Sequence, residues 1–236
     1  MSAQLTQNSA QTASTALVTK LGLPVKSDHQ LDYILLDGSG SMRSKWYEML
    51  AAIDALMAPM KAAAVESNVI IHVFDSTDLH YIARDVTLAD WRPLSEDPIG
   101  AHWGMTPLYD AINLMSREFR DKMPKIAAAY IVTDGSENGS DHTDETQARA
   151  MLDWMRANGW PVTFIGCDFN NSSQARALGA DDSSAIGVQK KLLTEAATNL
   201  GHKRARHAAG DDTAMGFTDA EKKQFGGYLV DSSNGK

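Results

Sequence analysis

One cysteine, Cys167, stands in a chain of 236 residues, so no intramolecular disulfide can form and the thiol content fits a reducing compartment. It follows the apolar run Val162-Thr163-Phe164-Ile165 and is expected to be buried and inert. Long hydrophobic runs are missing as well: nothing approaches the roughly 20 apolar residues that span a bilayer. The start, Met1-Ser2-Ala3-Gln4-Leu5-Thr6-Gln7, has neither the basic opening nor the apolar centre of a signal peptide. From these absences a cytoplasmic protein is expected. Positive charge is in the minority: 22 Lys and Arg against 30 Asp and Glu give a net charge of −8, which speaks against nonspecific nucleic-acid binding and favours divalent cations. The seven histidines show no zinc spacing, and His72, His80, His102 and His142 read as satisfied surface residues. Gly38–Lys45 is glycine- and serine-rich but lacks the Gly-Lys-Ser/Thr ending of a phosphate loop, so its lysine is misplaced for phosphate. The one dense basic run, His202-Lys203-Arg204-Ala205-Arg206-His207, is expected to form a solvated helix end.

What is present is a globular composition, 43% hydrophobic and 22% charged. Residues 1–28 read as a polar tail, 29–207 as one domain, and 208–236 as a C-terminal extension. In that extension Phe217, Ala220, Gln224 and Tyr228 can share one helical face. The apolar pattern predicts strands at 32–36, 69–74, 81–86, 126–132, 161–166 and 185–188. Between them it predicts helices at 45–66, with a kink at Pro59, and at 108–119, 143–157, 172–178 and 188–200. Thr143 is the expected N-cap of the 143–157 helix. The short turn 75–78 implies an antiparallel hairpin, because a parallel crossover needs a dozen or more residues. The expected fold class is α/β: a Rossmann-like, doubly wound, mostly parallel sheet with one antiparallel edge strand and helices on both faces.

Asp37-Gly38-Ser39-Gly40-Ser41 ends the first apolar strand. It presents one carboxylate and two hydroxyls, hard oxygen donors with room for water, which suit Mg²⁺ better than Zn²⁺ or iron. Gly104-Met105-Thr106-Pro107 and Val132-Thr133-Asp134-Gly135 are placed by the pattern at the same end of the sheet, where ligands of open α/β sheets gather. Each segment alone also reads as a turn or a helix cap. Nothing about capping requires all three in this order and topology.

Together the three segments resemble the metal-ion-dependent adhesion site of von Willebrand factor type A domains, and the likeness covers about residues 29 to 200. The resemblance implies that Ser39, Ser41 and Thr106 ligate the metal directly or through water, while Asp37 and Asp134 act mainly through bound water. It implies Mg²⁺, with Mn²⁺ or Ca²⁺ as substitutes. It also implies a non-enzymatic module whose protein partner offers an Asp or Glu to the metal. Met42, Arg43, His102, Trp103 and Met105, beside the predicted metal loops, are the expected partner-contact residues. The segment Gly104–Ile112 and the tail Gly216–Glu221 are similar to bacterial and phage members, and bacterial members often act beside AAA+-type ATPases. No nucleic acid or membrane is expected as a partner. Two rival readings stand: a metal-assisted hydrolase or phosphatase drawing on Asp75, His102 or Glu137, and a phage structural or assembly protein.

Overall fold

The computed structural model describes residues 26–76, 79–96 and 103–227; the polar tail as far as residue 25, His102, and residues 228–236 lie outside them. The first strand, β1 (Ser27–Asp37), is buried from Leu31 onward on both faces, as the near-continuous apolar run of a strand inside a parallel sheet requires. A tight 3-10 segment, Gly40–Lys45, leads into α1 (Trp46–Ala62). There follow β2 (Ser67–Phe74), β3 (Leu79–Thr87), α2 (Leu108–Lys122), β4 (Pro124–Thr133), α3 (Glu145–Ala157), β5 (Val162–Cys167), α4 (Ser172–Ala177), β6 (Ala185–Val188), α5 (Leu193–Ala208) and α6 (Asp219–Gly226). The sheet order is β3-β2-β1-β4-β5-β6, and only β3 runs antiparallel to its neighbour. After β1 the chain builds outward through β2 and β3, then crosses back to place β4 on the other side of β1. The crevice at that reversal opens beyond the carboxyl ends of β1 and β4.

Alternation along β1 feeds two apolar layers. Ile34 and Leu36 pack with Met49, Leu50, Ile53 and Leu56 of α1 and with Leu193 and Leu200 of α5. Leu31, Tyr33 and Leu35 pack with Ile112, Met115 and Phe119 of α2 and with Leu152 of α3. Pro59 does not break α1 but sits in its last turn, close to where the helix ends. Opposite it, a Cβ on Gly201 of α5 would stand 2.3 Å from the Leu56 carbonyl, so only glycine lets these two helices approach. Cys167 is wholly buried, and burial pushes its thiol up to about 12. Iodoacetamide at about pH 8 should therefore alkylate the folded protein about a thousandfold more slowly than the unfolded chain, because the thiolate is the nucleophile. Equal rates in buffer and in denaturant would show an accessible thiol.

The structure corrects several expectations. The basic run is not a solvated helix end: Lys203, Arg204 and His207 are buried, and Arg204 pairs with Asp32 inside the protein. The run lies on α5, whose inward face covers the sheet, so residues three and four apart point in, here 200, 203, 204 and 207. His72 is not at the surface either. It sits within β2, its Nδ1 is 2.8 Å from the Tyr33 hydroxyl, and its ring stacks on Tyr81. The cap of α3 is Asp144 rather than Thr143: Asp144 and Gln147 form a reciprocal capping box, and Thr143 instead accepts a hydrogen bond from Asn113. The chain after residue 207 returns to the body, where Met215, Phe217 and Phe225 join the α1–α5 layer. A second capping box, Thr218 with Glu221, starts α6. Among the described residues no helix is long and apolar enough to cross a membrane.

Candidate metal centre

β1 and β4 are neighbours in register, with Leu36 beside Val132, so the residues that follow them emerge side by side. Asp37 closes β1 and Asp134 follows β4 at once. The loop after β1 is held on two sides: the Gly38 amide donates to the Phe74 carbonyl at 2.8 Å, and the Trp103 amide donates to the Gly38 carbonyl at 3.1 Å. The Gly40 amide then donates to the Gly104 carbonyl at 3.0 Å, and the Met105 amide to Ser76 Oγ at 2.8 Å. Gly104 is required for this closeness, since a Cβ there would lie 2.5 Å from Ser76 Oγ. Thr106 is delivered to the crevice by that loop and fixed by Asn138. Asn138 Oδ1 accepts from the Thr106 amide at 2.8 Å, and the Asn138 amide donates to the Thr106 carbonyl at 3.1 Å.

The side chains converge. Ser39 Oγ lies 3.1 Å from Ser41 Oγ, and Ser41 Oγ donates to Asp134 Oδ1 at 2.6 Å. Asp37 Oδ1 accepts from the Ser39 amide at 2.8 Å and Oδ2 from the Thr133 hydroxyl at 2.6 Å. A Cβ on Gly135 would meet Thr106 Oγ1 at 3.9 Å, which puts that hydroxyl against the Asp134–Gly135 turn. Burial raises Asp37 to about 6, against the lowering pull of the Thr133 and Ser39 hydrogen bonds, with the Asp134 charge adding to the rise. A buried carboxylate disfavoured as an anion is one that a neighbouring cation would stabilise. The cup already admits positive charge: Lys45 Nζ stands 2.5 Å from Asp134 Oδ2. Two carboxylates and three hydroxyls are hard oxygen donors, the kind a hard cation takes. Asp37, Ser39, Ser41, Thr106 and Asp134 therefore fit a Mg²⁺-like ion.

The rim is less uniform than expected. Met42 is corrected outright: it is 0% exposed, because the 3-10 turn that presents Ser41 points the next side chain into the core. Trp103 is a partial plug. Its backbone takes the left-handed φ of 67°, its ring packs edge-on against Trp46 at 5.5 Å, and the exposed Arg43 guanidinium lies over it at 5.2 Å. Met105 is 52% exposed. His102 falls outside the described residues. Glu137 is fully engaged: it accepts from the amides of Tyr109, Gly139 and Ser140 and from the Ser140 hydroxyl, tying the loop after β4 to the start of α2. Sequence reasoning missed Lys45 and Thr133. Neither was signalled by spacing: Ser41 and Lys45 share a 3-10 segment, in which residues four apart do not stand on one side, and only the folded position of Asp134 brings the ammonium to it.

No family model matches the chain, and no curated protein matches it. Solved structures do. Manganese-loaded TRAP protein of Plasmodium vivax is 15% identical, with 72% of each chain covered and a TM-score of 0.53. A von Willebrand factor type A protein of Catenulispora acidiphila is 16% identical with a TM-score of 0.55, covering 76% of this chain and 43% of that one. The vWF domain of the type V pili tip protein Mfa5 from Porphyromonas gingivalis is 10% identical with a TM-score of 0.59, covering 78% of this chain and 97% of that one. A pilus adhesin and a minor pilin are also similar in fold. The cytoplasmic expectation is withdrawn: the structures similar in fold include a pilus tip protein, a pilus adhesin and a minor pilin, which point away from it. The inference from one cysteine fails for a physical reason: a sheet closed by two full apolar layers needs no disulfide in any compartment. Identities this low establish architecture alone, and that architecture is the von Willebrand factor type A fold.

Proposed function

We propose that this chain is a protein-binding module that holds one Mg²⁺ in the crevice between β1 and β4 and recognises an acidic side chain of its partner there. The reading is carried by one observation: hydroxyls and carboxylates from three separate loops meet at the carboxyl end of the sheet. Ser39, Ser41 and Thr106 would hold the ion, with Asp37 and Asp134 in support. Uncharged hydroxyl ligands leave the ion most of its charge, so a partner's Asp or Glu gains a strong contact in a partly dry interface. Met105 and Arg43, exposed at the rim, supply apolar and charged surface around that contact. A hydrolase would need a poised base. Glu137 is spent on four hydrogen bonds and Asp75 is buried, which supports binding over hydrolysis.

The test uses a random-peptide display library panned on the protein in Mg²⁺ and eluted with EDTA. Enriched sequences should share an obligate Asp or Glu and should not bind the Thr106→Ala variant. Trp103→Ala should weaken capture without removing the metal. Peptides that lack an acidic residue, or that stay bound in EDTA, would remove the ion from the recognition step.

A further inference from the structure

Both carboxylate oxygens of Asp134 are engaged by groups of one short segment. Ser41 Oγ donates to Oδ1 at 2.6 Å, and the Lys45 ammonium stands 2.5 Å from Oδ2. The Asp134 side chain is fully withdrawn from solvent and that of Lys45 is 17% exposed. Lys45 closes the 3-10 segment that Ser39 caps, so the ammonium and two of the candidate hydroxyl ligands, Ser39 and Ser41, are carried on one short piece of chain. The nearby Lys190 behaves differently. It bonds the Ser44 carbonyl and pairs with Glu48 at 2.8 Å, outside the cup.

We propose that Lys45 is a resident counter-ion of the metal centre: its ammonium competes with the divalent cation for Asp134 and sets the cation concentration at which the site fills. The proposal rests on the metal-binding reading above. An ammonium in contact with one carboxylate oxygen and a divalent ion held beside the same carboxylate repel each other, the more so where water is excluded. Filling the site therefore requires Lys45 to withdraw, which its flexible four-carbon stem permits. A monovalent cation brings no more charge than the ammonium it must displace and none of its hydrogen bonds; a dication brings twice the charge. Lys45 thus selects for dications while lowering the affinity for them. With Lys45 in place, the Asp134 charge stays neutralised at low metal and the loop after β1 stays docked on β4.

The experiment compares Mg²⁺ binding by calorimetry in the wild type, Lys45→Met and Lys190→Met. Methionine keeps the apolar stem and removes the charge, and the Lys190 variant controls for loss of a positive charge near the site but not in it. Lys45→Met should bind Mg²⁺ about tenfold more tightly, and Lys190→Met within about twofold of the wild type, as solvent screens the more distant charge. In EDTA, Lys45→Met should melt below the wild type, because Asp134 then keeps the Ser41 hydroxyl but loses its cation. As a second readout, acylation of Lys45 in the wild type, followed by mass spectrometry, should accelerate on adding Mg²⁺ while that of Lys190 does not. Unchanged or weaker Mg²⁺ binding by Lys45→Met, or equal tightening in both variants, overturns the proposal and leaves the metal site standing. Absence of Mg²⁺ binding in the wild type and in Lys45→Met alike removes the metal reading, and the proposal with it.

Discussion

Replacing Arg204 by methionine should destabilise the fold by about 3–5 kcal/mol, because the change strands a charge in the interior. Arg204 Nε donates to Asp32 Oδ1 at 2.8 Å, and both side chains are 0% exposed. Asp32 also accepts from the Tyr130 hydroxyl at 2.9 Å and from Ser67 Oγ at 2.6 Å. Ala128 lies beside Asp32 in the register of β1 and β4 and presents only a methyl group there. Without Arg204, Asp32 is left with two neutral donors and no cation. The double variant Arg204→Met with Asp32→Ala removes both charges and should regain much of the loss, since a buried pair is worth little net against apolar residues. Urea unfolding of the wild type, the single and the double variant measures this. A single variant within about 1 kcal/mol of the wild type, or a double variant no better than the single, would show that the pair does not pin α5 to the sheet.

Asp37→Asn should abolish the stabilisation that Mg²⁺ confers while leaving the protein folded. At a free Mg²⁺ concentration about 100 times the dissociation constant, a single site stabilises the native state by about 2.7 kcal/mol. For a chain of this size that is a rise of roughly 5–10 °C in Tm. The wild type should show this rise and lose it in EDTA. Asparagine keeps an acceptor for the Ser39 amide and a polar contact for Thr133, whose bonds hold the loop. Burial already disfavours the Asp37 charge, holding the group at about 6, so removing that charge should not lower Tm in EDTA. A Mg²⁺-induced rise in Asp37→Asn equal to that of the wild type would place the ion elsewhere.

The fold and the site were legible to different degrees, for physical reasons. β1 announces itself because a strand buried on both faces is close to apolar throughout, Asp32 being the exception, and Asp37-Gly38-Ser39-Gly40-Ser41 marks its end by a change of chemistry. The short turn after Phe74 left only a hairpin for β3. Burial of α5 was not legible. Lys203, Arg204 and His207 are cations in sequence, and only the tertiary position of Asp32, 172 residues before Arg204, makes burial of that guanidinium tolerable. Met42 was misplaced for a related reason. Its neighbours are exposed, but a 3-10 turn rotates successive side chains by about a third of a turn, which sends one of them inward. The segment from Met215 to Phe225 looked like an extension because its few apolar residues are widely spaced, yet three of them complete the α1–α5 layer.

Ser39, Ser41 and Thr106, backed by Asp37 and Asp134, are proposed to hold one divalent ion. Crystals soaked in Mn²⁺ and measured at the manganese absorption edge test it most directly, since the anomalous signal locates the ion without assumption about its ligands. A single strong peak is expected in the crevice between the loops after β1 and β4, within coordination distance of the Ser39, Ser41 and Thr106 hydroxyls, and no peak in Asp37→Asn. A wild-type map with no peak there, or with its strongest peak at another place on the molecule, would contradict it.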